Sequence, residues 1–92
     1  MYNHIVTEAD VSIYHDHDDN LVEKDLVTAL KSFDHDFIFT HFLAVDSAGH
    51  KYGFHPDIPE YSSEIEETDK RVGKIMKTIT ERKSYQNENW LV

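Results

Sequence analysis

The sequence predicts an α/β fold: a partial three-layer unit, with a short parallel sheet and crossover helices in the order β-α-β-α-β. Three patterns predict it. Phe37 to Val45 is apolar on both alternating faces, interrupted only by Thr40 and His41, as in a strand covered by helices on each side. Two stretches with helical apolar spacing flank that run. Trp90-Leu91-Val92 is apolar again and reads as the opening of a further buried strand. Strand and helix patterns that alternate in this way give parallel pairing and right-handed crossovers.

Taken in order, Ala9 to Tyr14 alternates apolar and polar residues and predicts a short, half-exposed strand. His15-Asp16-His17-Asp18-Asp19 is a polar loop. Asn20 is the expected helix N-cap, with Glu23 completing a capping box. Val22, Leu26, Ala29, Leu30 and Phe33 share one face of a helix over about 21–33. After the central strand, residues 46–59 form a loop with two of the glycines and both prolines. A second helix is expected over about 60–83, with Tyr61, Ile65, Val72, Ile75, Met76 and Ile79 as its core stripe. Gly73 then serves close packing against the sheet, and Arg82 and Lys83 suit the negative end of the helix dipole. The whole is read as one partial α/β domain over 1–92, with the segment 37–53 at its centre.

Composition narrows the function. At 92 residues the chain holds one domain at most. A net charge of −9 argues against nucleic acid and anionic membranes, which select basic patches. It does not exclude an anionic substrate, because a bound cation reverses the local field. With no cysteine there is neither a disulfide framework nor a thiolate zinc site. No apolar run is long enough for a membrane span, and no targeting segment is visible, which leaves localisation open.

The chemistry lies at the end of the central strand. Asp46 stands where ligands bind in open α/β sheets, and His50 follows across a turn containing Gly49. Aspartate oxygen and histidine nitrogen both bind zinc at about 2.0–2.2 Å. Spacing alone is a weak signal for a metal. The wider stretch Phe42-Leu-Ala-Val-Asp-Ser-Ala-Gly-His-Lys-Tyr-Gly53 resembles the metal-binding segment of the alkaline phosphatase superfamily. It is most similar to the branch of type I phosphodiesterases and nucleotide pyrophosphatases. The resemblance continues through Pro59-Glu-Tyr, Ile65 to Gly73 and Glu88 to Val92, and covers roughly residues 9–92.

The resemblance implies a two-metal phosphoryl-transfer centre, usually of zinc, although other divalent ions suit the donors. Two such ions, about 4 Å from each other, would clamp the attacking and leaving oxygens. Asp46 and His50 would both bind one ion. On the family pattern the third ligand of that ion, the ligands of the other ion and the nucleophile all lie outside these residues. Ser47 and Thr40 are not placed as nucleophiles. The parent would be a metal-dependent hydrolase of phosphate esters or nucleotides. This chain, lacking the nucleophile, is expected to be inactive alone. Two other functions remain open: a non-catalytic α/β fragment that self-associates through open sheet edges, and a segment like cofactor-independent phosphoglycerate mutase, which binds manganese.

Other polar residues have simpler readings. The 15–19 cluster reads as a solvated loop rather than a metal site. His41 reads as a hydrogen-bonded core residue, and His55 as loop decoration. Tyr52 and Phe54 read as loop packing rather than a substrate pocket. Asp69, on the apolar stripe, is either solvated or a second-shell acid that accepts a hydrogen bond from the metal loop.

Overall fold

The computed structural model describes residues 9–32 and 34–92. Three helices follow one another: α1 (Asp19–Ser32), α2 (Ala44–Tyr52) and α3 (Pro59–Thr80), with a 3₁₀ turn at Tyr85–Asn87. Both α1 and α2 pack on α3. Phe33, the last member of the apolar face expected for the first helix, lies outside the described residues.

The expected α/β sheet is overturned: among the described residues there is no strand. The stretches 9–14 and 37–43 are irregular, and Ala44 and Val45, expected to close the central strand, open α2. The reason is partnership. A strand exists through hydrogen bonds to a neighbour about 4.8 Å away. Here the segments 9–15 and 35–41 instead line an open groove of about 950 Å³, together with Val22, Leu26 and Ala29 of α1. Without a covering layer the doubly apolar run is only half-buried, and Phe37 is 81% exposed. Sheet edges for self-association are therefore missing too among the described residues. The third expected strand is replaced by a polar anchor. Trp90 Nε1 donates to Glu88 Oε1 at 2.9 Å, and the Arg82 guanidinium lies 5.6 Å from the indole centroid.

α1 begins earlier than the expected Asn20 cap. Asp18 Oδ1 accepts the Leu21 N–H at 3.2 Å and takes the capping role. Glu23 does not close a capping box; it accepts from Arg71 of α3 at 2.7 Å, with side chains only 16% and 13% exposed. Leu30 is the deepest of the described residues, at 1% exposure.

α3 starts on Pro59, whose fixed φ suits a first helical position. Its apolar stripe is only partly core. Ile79 is buried, while Ile65, Val72 and Met76 are exposed, because α1 and α2 cover only part of the helix. A Cβ on Gly73 would meet nothing within 4 Å, so the packing role expected for that glycine is absent.

Arg82, expected to serve the helix dipole, organises the junction beyond α3. Its guanidinium donates to Glu88 at 3.0 and 2.8 Å, to Asp34 at 2.8 Å, and to the Leu30 carbonyl. The hydrogen bond from Arg82, helped by that from Trp90, pulls the Glu88 carboxyl down from its ordinary 4.5 to about 2. The same contact with Glu88 raises Arg82.

Candidate metal centre

The segment Ala44-Val-Asp-Ser-Ala-Gly-His-Lys-Tyr52 is helical rather than a strand end and turn. Asp46 stands in its first turn and His50 and Lys51 in its last, which complements the dipole at both ends. Gly53 stops it at φ 120°, a conformation that favours glycine, while its N–H donates to the Gly49 carbonyl at 2.8 Å.

An isolated helix shorter than about 12–15 residues is marginal in water. With nine residues, α2 depends on its surroundings. Ala48 and Gly49 are its buried side. A Cβ on Gly49 would overlap the Phe54 ring, so Gly49 admits a close neighbour instead of turning the chain. The second support comes from α1. Both carboxylate oxygens of Asp19, a residue 7% exposed, accept backbone N–H groups at the start of α2: Leu43 at 3.0 Å and Ala44 at 2.9 Å. Leu43, in the N-cap position, makes no side-chain cap of its own.

Helical geometry brings Asp46 and His50 to one face, four residues apart. Asp46 Oδ1 and His50 Nε2 are 3.4 Å apart, on side chains 64% and 73% exposed. That separation suits a cation: the edge of a tetrahedron with bonds of about 2.1 Å is about 3.4 Å. The His50 ring stands edge-on to Phe54, with centroids 5.1 Å apart, and Phe54 in turn meets Tyr61 at 5.5 Å. The aromatic pair buttresses the imidazole.

Of the other candidates, Asp69 is exposed on α3. His41 is exposed rather than in the core. His55 Nδ1 accepts the Asp57 N–H at 3.1 Å, a local turn contact. The 15–19 cluster disperses: His15 pairs with Asp25, His17 with Asp16 at 3.1 Å, and Asp18 and Asp19 cap separate helices. Among the described residues no three metal-ligating side chains converge.

The sequence pattern missed Asp19. Its targets lie 24 and 25 residues away, and no local spacing signals a cap supplied by another helix.

Comparison with known proteins decides the family. A family model described as type I phosphodiesterase / nucleotide pyrophosphatase matches residues 3–92. The chain belongs to this family. The resemblance carried by Phe42 to Gly53 is thereby shown, and it points away from a phosphoglycerate mutase. No curated protein and no solved structure matches the chain. Members of the type I phosphodiesterase / nucleotide pyrophosphatase family act on phosphate esters and are typically metal-dependent. No described helix is long and apolar enough to cross a membrane.

Proposed function

We propose that Asp46 and His50 are two protein ligands of one divalent cation, zinc by donor type, in a phosphodiesterase or pyrophosphatase centre. One observation carries the reading. A carboxylate oxygen and an imidazole nitrogen stand 3.4 Å apart on an exposed helix face, within the segment that matches the family. Asp46 offers charge to offset the cation, and His50 offers a nitrogen on a ring held by Phe54. When bound, a zinc ion supplies positive charge to phosphoryl oxygens and lowers the pKa of an attacking hydroxyl. Asp69 stands on the helix that α2 packs against, and it is proposed to take a hydrogen bond from His50 and hold the ring for the ion. The substrate is a phosphate ester or a nucleotide.

Two protein ligands are too few for a catalytic zinc site, so the 92-residue chain alone is proposed to be inactive. Titration calorimetry with Zn²⁺ tests the ligands. Micromolar binding that is lost in His50→Ala is the expected result; an unchanged isotherm in that variant removes His50 from the site. Zinc-dependent turnover of a chromogenic phosphodiester, abolished by Asp46→Ala, would overturn the proposed inactivity.

A further inference from the structure

Asp19 is a buried carboxylate that the metal reading does not use. Burying a charge is costly unless it is paired or hydrogen-bonded. Its partners are neither cations nor side chains but the Leu43 and Ala44 amides, at 3.0 and 2.9 Å. It therefore caps α2 from a different helix, one acceptor oxygen to each N–H. The amides of a helix's first turn have no partner within the helix, and a carboxylate there also meets the positive end of the dipole.

We infer that Asp19 is a positioning residue for the cation site: its cap keeps α2 folded and so keeps the Asp46 and His50 donors at bonding separation. The inference rests on the reading that these two residues hold the ion. The helical geometry of residues 46–50 sets the 3.4 Å separation, whereas in extended chain residues four apart stand more than 10 Å apart. A nine-residue helix needs outside support to stay formed. Ligand affinity falls in proportion to the fraction of chains in the competent conformation. Asp19 touches neither donor, so its effect reaches the metal only through the population and placement of α2.

The test uses the full chain and Zn²⁺ alone, in wild type, His50→Ala, Asp19→Ala and Asp19→Asn. Affinity is read by calorimetry, and exchange of the Leu43 and Ala44 amides by NMR without metal. Asp19→Ala is expected to lose protection at both amides and to weaken zinc about tenfold, the lower end for residues that orient ligands. Asp19→Asn keeps one acceptor oxygen, so it should lie in between and serve if the alanine variant does not fold. A folded variant with a lower melting temperature but wild-type zinc affinity makes Asp19 merely structural and overturns the inference. Amides that stay protected in Asp19→Ala overturn it as well. If wild type binds no zinc, or His50→Ala binds as wild type does, the site reading has failed first, and those two arms show it without any Asp19 variant.

Discussion

Two clusters in this chain join carboxylates to nitrogen groups, and they differ in saturation. Around Arg82 the guanidinium is 9% exposed and meets Glu88, Asp34 and the Leu30 carbonyl. On α2, Asp46 and His50 face solvent and meet each other at 3.4 Å. In the first cluster the Arg82 guanidinium is covered and bonded on several sides, which suits it to holding structure. The second is open to solvent, as the proposed ligand role requires. If the proposed site holds, chemically similar groups divide between fold and function by whether neighbours have already satisfied them.

The largest expected effect falls beside the saturated cluster. Leu30 is 1% exposed, and its carbonyl accepts from Arg82. Leu30→Ala should lose about 3 kcal/mol in urea unfolding, from lost apolar burial and the cavity left behind. Its zinc affinity, measured while folded, should not move.

Acid probes the same junction. Glu88 is held at about 2 in the folded chain against its ordinary 4.5. A depressed folded pKa gives stability that is present above the unfolded value and lost as pH falls through the folded one. Wild type should therefore lose melting temperature between about pH 4.5 and pH 2, beyond the loss shown by Glu88→Gln. Parallel profiles for the two proteins would deny the Arg82–Glu88 contact its role.

Glycines separate the regions next. Gly49→Ala places a Cβ on the Phe54 ring. Phe54 is 55% exposed, so the ring can swing outward at the loss of its edge contacts with His50 and Tyr61. The expected destabilisation is about 1–2 kcal/mol, with a shift in the His50 ring resonances. Gly73→Ala meets open space and should gain about 1 kcal/mol from helix propensity. A loss at Gly73 would mean that its exposed face is packed against something after all.

These contrasts show what the sequence could carry. The helical periods behind α1 and α3 were legible because an apolar stripe repeats with the helix itself. The family was legible in the stretch Phe42 to Gly53, because residue identity survives whatever the backbone does. The setting was not. Phe37 to Val45 is apolar on both faces, and a run of that kind describes a residue's need for cover without saying whether a partner strand supplies it. Asp19 was hidden for the converse reason: its partners are backbone amides, which every residue has, so no pattern marks them.

The smallest expected effect on stability is at the proposed site itself, and that smallness is informative. Asp46 and His50 are 64% and 73% exposed, and ion pairs this open contribute little to folding. Asp46→Ala should stay within about 0.5 kcal/mol of wild type in urea unfolding, and His50→Ala, which gives up the Phe54 edge contact, within about 1 kcal/mol. Both should lose zinc binding. The opposite pattern, a clear loss of stability with zinc binding intact, would make the pair a second Arg82-type junction. Neutral folding with lost binding separates the clusters by what they do: one is spent on structure, and the other is left open for an ion.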